Sequence, residues 1–581
     1  MNTEKDNKMN METKKKIIEN EYVQSALTIG ISMIFVVILM VSLDKIMGKP
    51  KVETKFTSNL AEEYYYDGKY TDAIEEYTNM QKEDPWPEYI VKIAEISSML
   101  GEYEASNGAL REAVLHRDSL MEENAETYKE KDKELMKDII FTFFMNKEYE
   151  QAISLGKDYL AEVGPYKELV ETMFTLYINY GQVESAKAIL NQYPIREENA
   201  SDLVSVAKMR MILGEYEEGF KLLTDAWHID KNEVEIFDAI TQVASYDKDF
   251  IMEKLTTVAE ANPNEEVYEL FIAKLHATST ETVDKAEEII ESISEENNNN
   301  INYDVIKSQI YMSLGKEKEA KKILNNIIED EKYSYIGYHI MAWNYYEEAE
   351  FEEAFEYCKK SIVANKDYAD NFGFLIPEIM KSWGQTQAVE AYYRTALALE
   401  PFNHAMMIKI ADYYAFTTSQ YEKAKEYYNL ALSLKPYEDT IYYQLGMLAL
   451  VEEDSEVALE NLLEAIELND KIGKYHRTIG NIYLSQDNNE MAIESYRNAY
   501  LLDESDILAL NNAGCYYISV EESIFRGFEN LEAAYEEMPE DLDSESKKHI
   551  IENYNKAKKI FDDYNEGDGA LITVPEFHLF Y

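Results

Sequence analysis

The sequence predicts an all-α solenoid, an array of helix pairs stacked along the chain, preceded by one transmembrane helix. The 581 residues include only 21 glycines and 11 prolines, and strand-like alternation is rare, so helices are favoured throughout. Small residues also recur with a constant period of 34 residues. The recurring positions are Ala424, Ala458 and Ala492; Ala431, Ala465 and Ala499; and Ala286, Ala320, Ala354 and Ala388. A fixed period of this size indicates a solenoid.

Ala424 and Ala431 lie seven residues apart, which is also the repeat of a coiled coil. A coiled coil would continue the seven-residue step along the helix without interruption. Here the pair itself is repeated one full period later, at Ala458 and Ala465. The two alanines are therefore predicted to be close-contact positions on one helix that packs against its partner.

Each repeat unit is predicted to contain two helices. In one unit, Ile479, Gly480 and Tyr483 indicate a first helix, and the polar stretch SQDNNE indicates a turn. A second helix then carries Ala492 and Tyr496. Small residues let the two helices approach closely, while the larger ones fill the grooves between them.

The residue types at these positions resemble the tetratricopeptide repeat (TPR). That family has a bulky residue, Leu-Gly, Tyr, Ala-x3-aromatic, Ala and Pro in fixed order. Matching residues are Leu60, Ala61, Tyr64, Ala73, Tyr77 and Pro85; Tyr338, Met341, Ala342, Tyr345, Ala354 and Cys358; and Tyr442, Leu445, Gly446, Ala458, Leu462 and Ala465. The resemblance covers residues 54–540 in about fourteen units and implies a right-handed superhelix of helix pairs.

Three stretches depart from the repeat and are expected to interrupt the superhelix. Residues 120–132 insert extra helical sequence, 233–264 lose the small residues, and 295–302 form a wider loop. After the array, 541–566 is predicted to be an amphipathic capping helix. The final stretch, 567–581, is apolar and prone to extended structure. We expect it to fold against the last helices, with docking to another chain as the alternative.

Residues 22–43 carry no charge and are long enough, as a helix, to cross the hydrocarbon core of a bilayer. A cleaved signal peptide is the alternative, but no small-x-small cleavage site follows the apolar run. We therefore expect a single-pass membrane protein with a short tail, 1–21, and a linker, 44–53. Flanking lysines balance, so charge does not orient the anchor. Because a short tail most often stays cytoplasmic, an extracytoplasmic C-terminal domain is favoured over a cytoplasmic one.

The composition indicates which partners the chain should attract. With 112 acidic against 56 basic residues, the net charge is −56, so nucleic acid and anionic lipid headgroups are disfavoured as direct partners. Proteins with basic segments fit better, although most of this charge is expected to solvate helix surfaces. The abundance of Lys, Asn, Ile and Tyr is typical of low-GC bacteria. The sequence leaves the oligomeric state open.

The sequence contains no recognisable catalytic or metal-binding constellation. HExxH, phosphate-binding glycine loops and paired Cys or His ligands are missing. Cys358 and Cys515 form neither a disulfide framework nor a metal motif. We therefore expect a protein without enzymatic activity, metal or cofactor. The alternative from another class is an enzyme with a degenerate site in residues 233–300.

The TPR resemblance implies that protein or peptide segments bind on the concave face formed by the first helices. The residues predicted to project there are Tyr65, Trp343, Tyr346, Tyr443, Arg477, Asn481 and Asn512. Some TPR proteins bind a peptide carboxylate with a basic residue, an Asn one turn later and an Asn of the next repeat. The last three residues occupy the matching places. The family usually has Lys where this chain has Arg, and the basic pair of the third repeat is missing.

Taken together, these features predict a membrane-anchored TPR scaffold or adaptor that binds protein or peptide segments. A second interpretation is a chaperone-like, assembly or quality-control factor for envelope or exported proteins.

Overall fold

A computed structural model describes residues 54–196, 198–245, 248–566 and 573–581. The predicted N-terminal tail 1–21, membrane segment 22–43 and linker 44–53 lie outside these ranges. Within the described ranges, no helix is long and apolar enough to cross a membrane. These residues form 28 α-helices and no strand, so the predicted all-α solenoid is confirmed for the described part of the chain.

The helices follow one another with short connections. In chain order they are α1 (Leu60–Tyr66), α2 (Tyr70–Glu83), α3 (Glu88–Met99), α4 (Tyr103–Met145), α5 (Tyr149–Val163), α6 (Lys167–Asn179), α7 (Val183–Leu190), α8 (Ala200–Ile212), α9 (Tyr216–Ile229), α10 (Glu235–Ala244), α11 (Lys248–Ala261), α12 (Val267–Ala277), α13 (Val283–Ser292), α14 (Ile301–Ser313), α15 (Glu317–Glu329), α16 (Ser334–Glu347), α17 (Phe351–Ala364), α18 (Ile376–Trp383), α19 (Val389–Leu399), α20 (His404–Asp412), α21 (Tyr421–Leu434), α22 (Asp439–Val451), α23 (Ser455–Leu468), α24 (Gly473–Ser485), α25 (Asn489–Leu502), α26 (Ile507–Ser519), α27 (Ile524–Glu536) and α28 (Ser544–Glu566). Single π-helical turns, Asn371–Leu375 and Tyr413–Thr417, precede α18 and follow α20.

Over the described residues, α1 to α27 form fourteen successive helix pairs, and α28 follows the last pair. Helix α4 contributes to two pairs, because its backbone is non-helical at Asn124 and its two halves are separate helices. This break lies in the stretch 120–132 that departs from the repeat. Residues 293–300 form the wider connection between α13 and α14.

The alanines that define the repeat period lie at the helix contacts. Ala424, Ala458 and Ala492 are fully buried, as are their partners seven residues later. Glycines on the facing helices allow the same close approach. A Cβ added to Gly480 would lie 2.5 Å from the ring of Tyr496, which is closer than two carbon atoms can pack. The repeat is therefore a packing repeat, and it carries no coiled-coil seam.

The described residues divide into two compact units, which we describe separately. The first unit comprises 54–410 with 433–435, and the second comprises 411–432 and 436–581. Each has apolar clusters between neighbouring helix pairs, such as the one formed by α8 to α14 in the first unit and the one formed by α22 to α24 in the second.

The first unit closes on itself. Helix α1, at the start of the unit, packs against α19, near its end. The Tyr66 hydroxyl lies 3.0 Å from Thr395 Oγ1, and the Tyr66 and Tyr392 rings have their centroids 4.8 Å apart. The Thr54 N–H also donates to Glu356 Oε2 at 3.1 Å. The superhelix of this unit is therefore held shut by contacts between its ends.

Candidate functional site

Residues 573–581, which we call the tail segment, run without helix or strand along the helices of the second unit. Polar side chains from α24, α26 and α28 contact them. These are Arg477 and Asn481 from α24, Asn511 and Asn512 from α26, and Asn553 and Lys556 from α28. We refer to the surface formed by these six side chains as the groove.

Two asparagines bind the main chain of the tail segment at alternate residues. Asn553 Nδ2 donates to the His578 carbonyl at 2.7 Å, and its Oδ1 accepts the His578 N–H at 3.0 Å. Asn512 makes the same pair of bonds with Phe580, at 2.7 and 2.9 Å. An extended chain presents its side chains alternately to two sides. This pairing therefore holds an extended segment in one register through groups that almost every residue has.

Asn481 is oriented by its neighbours to extend this contact. Its Nδ2 donates to the Phe580 carbonyl at 2.8 Å. Its Oδ1 accepts from Tyr496 Oη at 2.8 Å and from Asn512 Nδ2 at 3.1 Å. Because both sides of the amide are engaged, the donor stays aimed at the tail segment.

Two cationic side chains also contact main-chain oxygens. Arg477 Nη2 donates to the Tyr581 oxygen at 3.1 Å, and Lys556 Nζ donates to the Glu576 carbonyl at 2.7 Å. Arg477 is at the same time ion-paired with Asp506. The carboxylate of Asp506 balances the guanidinium charge, which weakens the attraction of Arg477 for a second anion.

The amides of the groove are buried. Asn512 and Asn553 are 0% exposed, and Asn481 is 4% exposed. A buried donor or acceptor that loses its partner costs about 1–3 kcal/mol. The groove therefore has a lower free energy when an extended main chain occupies it than when its buried amides lack hydrogen-bond partners.

Side chains of the tail segment pack against three apolar clusters. Phe577 and Leu579 lie against one cluster of α26, α27 and α28, and Phe580 lies in a separate cluster of the same helices. Tyr581 packs against the cluster of α22 to α24. Phe580 is 5% exposed, so its burial contributes about 2–3 kcal/mol to docking. The main-chain bonds set the register, and these contacts select the side chains.

His578 occupies a distinct position, stacked on His549 of α28. The ring centroids are 3.8 Å apart and the planes are 7° apart. Burial, followed by the nearby His549, lowers the pKa of His578 to about 4; Glu552 opposes this shift and Lys556 adds to it. The imidazole of the docked segment is therefore neutral at pH 7.

Acid pH is expected to loosen the tail segment. Docking lowers the pKa of His578 below its ordinary value of about 6.5, so the docked state binds fewer protons. The contribution of the neutral His578 imidazole to docking is fully present above pH 6.5 and is lost as the pH falls toward 4. Between about pH 7.5 and 5 it should weaken on the order of tenfold. Amide hydrogen exchange of 577–581, corrected for intrinsic rates, measures this. His578→Gln should abolish the pH dependence; a variant that kept it would rule out this histidine as the cause.

The structure brings four of the predicted binding residues together. Arg477, Asn481 and Asn512 contact the main chain of the tail segment. Tyr443, 1% exposed, is part of the cluster on which Tyr581 packs. The groove of α24 and α26 is therefore the place where the sequence and the geometry point to the same residues.

The sequence interpretation misses the residues that α28 contributes, because that helix reads as a solvating cap. A signal is nevertheless present. Asn553 lies three residues after Ile550 and four before Ala557, on the apolar stripe of the helix. A polar side chain on such a stripe needs a buried partner, and the tail segment supplies it.

The other three predicted residues lie in the first unit. Tyr65 is 6% exposed, and its hydroxyl donates to Glu95 at 2.6 Å. Trp343 Nε1 donates to His339 Nε2 at 3.0 Å. Tyr346 Oη lies 3.2 Å from Ser382 Oγ. Tyr65 packs at the closure with α19, while the two residues on α16 line a cavity.

This cavity has a volume of about 1140 Å³, lies in the first unit and is lined mainly by first helices from α6 to α20. Its charged lining includes Lys167, Glu171, Lys208, Glu235, Asp238, Lys274, Asp370 and Glu400. Burial, followed by the carboxylates of Asp238 and Glu400, raises the pKa of Asp370 to about 8, although Lys208 and Lys274 oppose the shift. Asp370 therefore holds a proton at neutral pH.

Residues 233–300 are the region in which the alternative interpretation places a degenerate catalytic site. Some of them, including Asp238 and Lys274, line this cavity. A general base is not available at His339, however. Its Nδ1 bonds Asn371 Oδ1 at 2.9 Å, its Nε2 accepts from Trp343, and burial lowers its pKa to about 4. Among the described residues, no group of three or more His, Cys, Asp or Glu side chains is placed to hold a metal ion.

The chain is similar in part to known proteins. The tetratricopeptide repeat profile matches residues 404–438 and 478–506. No curated protein matches the chain in sequence. Solved structures similar to it include yeast Tom70, at 17% identity over 76% of this chain and 98% of that one, with a TM-score of 0.37. Another is the Cut9–Hcn1 hetero-tetramer of the APC/C, at 14% identity over 84% and 99%, with a TM-score of 0.32. A third is YrrB, described as a TPR protein with an unusual peptide-binding site, at 22% identity over 32% and 93%, with a TM-score of 0.27.

The profile matches and the helix pairs define a class: the described residues form an all-helical, TPR-like solenoid that contains tetratricopeptide repeats. Such a fold is typically a non-enzymatic scaffold for protein–protein interaction.

Proposed function

We propose that this protein is a membrane-tethered scaffold that binds extended segments of partner proteins in the groove of its second unit. The observation that carries this proposal is the pairing of Asn512 and Asn553 with the N–H and C=O groups of alternate residues in the tail segment. A surface that holds one extended segment through its main chain can hold others whose side chains fit the neighbouring clusters.

The tether in this proposal is the uncharged run 22–43, which lies outside the described residues. Tethering keeps the binding groove near the bilayer and raises the effective concentration of partners there. We place the helical array on the extracytoplasmic side. Carbonate extraction should leave the chain in the membrane pellet, and protease added to intact cells should cleave the array. Extraction into the supernatant argues against the tether, and protection in intact cells argues against this orientation.

Site-specific photocrosslinking in native membranes tests groove binding. A photoreactive residue at Leu508, which packs beside Phe580, should form adducts with a defined set of proteins. The matched position is Val457 of α23, which is 42% exposed. Replacing Asn512 and Asn553 by Ala should remove the adducts from position 508. If positions 508 and 457 capture the same proteins, or if the alanine variant still forms the adducts, the groove is not the binding surface.

Partners with basic segments are expected to associate faster at low salt. The net charge of −56 attracts them over long distances, whereas most contacts in the groove are made by neutral amides and apolar side chains. Raising the salt from about 50 to about 500 mM should therefore lower the association rate constant on the order of tenfold and change the dissociation rate constant by less than about twofold. Surface plasmon resonance on the reconstituted chain separates the two. An association rate that does not respond to salt would count against basic partners.

A further inference from the structure

We propose that the tail segment is an intramolecular competitor for the groove, and that the partner it excludes is an extended peptide recognised through its main chain. Such a peptide carries large apolar side chains at the places of Phe577, Leu579 and Phe580 and needs no free carboxylate. This inference rests on the proposed function and adds to it the chemistry of the partner and the condition for its entry.

The main-chain contacts of the tail segment leave no room for a second peptide. Each amide of Asn512 and Asn553 uses its donor and its acceptor on one residue of the tail segment. Both side chains are completely buried in this state. A partner that uses the same amides must therefore replace the tail segment.

Most of the hydrogen bonds of the groove go to main-chain groups inside the tail segment, and only Arg477 contacts the oxygen of Tyr581, through Nε at 3.3 Å and Nη2 at 3.1 Å. The six bonds made by Asn481, Asn512, Asn553 and Asn511 go to N–H and C=O groups of residues 578 and 580. The cation at the far end, Arg477, has its charge balanced by Asp506. A carboxylate of the partner would have to compete with that of Asp506, whereas a carbonyl needs only one donor.

The selectivity of the groove comes from its apolar clusters. Phe577 and Leu579 pack on one cluster, and Phe580 packs on another, as alternating side chains of an extended segment must. The start of the tail segment, in contrast, is exposed to solvent. Val574 is 39% exposed, so recognition is concentrated on 577–581. A tethered competitor acts at an effective concentration of about a millimolar, which weakens any partner of comparable intrinsic affinity.

The test uses the full chain in detergent micelles and a fluorescent peptide with the sequence of 573–581, TVPEFHLFY. Phe580→Asp should release the tail segment by placing a charge in an apolar cluster, while leaving the groove intact. Val574→Asp is the matched control, because it introduces the same charge at an exposed position of the same segment. We expect the Phe580→Asp chain to bind the peptide at least about tenfold more tightly than the wild-type and Val574→Asp chains. Adding Asn512→Ala to Phe580→Asp should abolish this binding.

The outcomes separate the parts of the proposal. Equal, measurable affinity of all three chains overturns the competition and leaves groove binding standing. Absence of binding to a Phe580→Asp chain with wild-type helical content overturns the proposed function itself. The same peptide as a carboxamide should bind within about threefold of the free acid; a loss of tenfold or more overturns main-chain recognition in favour of a carboxylate site. A wild-type dimer in sedimentation that Phe580→Asp dissolves would make the occupant the tail of a second copy, which overturns the intramolecular contact.

Discussion

Gly68→Ala is expected to open the closure of the first unit. Gly68 has a φ of +71°, and a Cβ there would lie 2.5 Å from the carbonyl oxygen of Gln387, a main-chain atom that cannot turn aside. The variant therefore adds a steric clash to the cost of placing alanine in the left-handed region. We expect a loss of about 2–4 kcal/mol, concentrated on the contact between α1 and α19.

Gly101 supplies the matched control for this prediction. It ends α3 with a φ of +80°, but no atom lies within 4 Å of an added Cβ. Gly101→Ala should therefore cost only the backbone strain, about 1 kcal/mol. Hydrogen exchange of 60–66 and 389–399 measures the opening. Exchange should rise sharply in the Gly68 variant alone. Equal effects of the two substitutions would mean that α1 is not packed against α19.

Glu400→Gln is expected to destabilise the first unit strongly. Glu400 is ion-paired with Lys208, 192 residues away. The side chains are only 14% and 11% exposed. Burial opposes the charge on Lys208, but Glu400 and then Glu235 hold its pKa above the ordinary value. Removing the carboxylate leaves a buried ammonium without its main partner, which costs about 3 kcal/mol.

Two further variants make this prediction specific. Replacing both partners, Lys208→Met with Glu400→Leu, should restore most of the stability, because apolar side chains have no charge to desolvate. Glu184→Gln removes a carboxylate that is 89% exposed and paired with Lys187, so it should cost less than about 0.5 kcal/mol. Thermal and urea unfolding at pH 7 compare these variants. A Glu400→Gln chain as stable as the Glu184→Gln chain would show that the pair is not buried in solution.

The helix pairs could be predicted from the sequence because their cause is local. Ala424 and Ala431 touch a neighbouring helix through positions fixed by the geometry of one helix, and that requirement recurs in each unit. The same holds for Arg477, Asn481 and Asn512. They lie on the faces of two adjacent first helices, so helical spacing alone brings them to one groove.

The closure of the first unit could not be predicted in this way. Its contacts join Tyr66 to Thr395 and Thr54 to Glu356, residues that no periodicity relates. Whether a superhelix meets itself depends on the sum of small rotations between repeats, and the interrupted pair at Asn124 changes that sum. Tyr65 therefore looks like a surface residue in its own repeat, but it is buried against α19 by a helix pair far along the chain.

The role of residues 573–581 could not be predicted from the sequence either, although the sequence predicts an extended tail that folds against the last helices. Their apolar character indicates burial but not the surface that covers them. Asn553 completes the surface that covers them. Its side chain reaches that surface only because α28 packs beside α26 and α27. A single buried asparagine on a helix interpreted as a cap thus completes a groove that begins on α24.

Hydrogen exchange of the tail segment tests most directly whether the groove binds an extended segment through its main-chain groups. The N–H groups of His578 and Phe580 are bonded to Asn553 and Asn512, so both amides should be protected in the full chain at pH 7.5. The exposed residues 573 and 574 should exchange at the rate of a free peptide. Asn512→Ala with Asn553→Ala should remove the protection, while Asn461→Ala on α23 should leave it. If residues 578 and 580 exchange as fast as 573 and 574 in the unaltered chain, the groove does not hold the segment and the account fails.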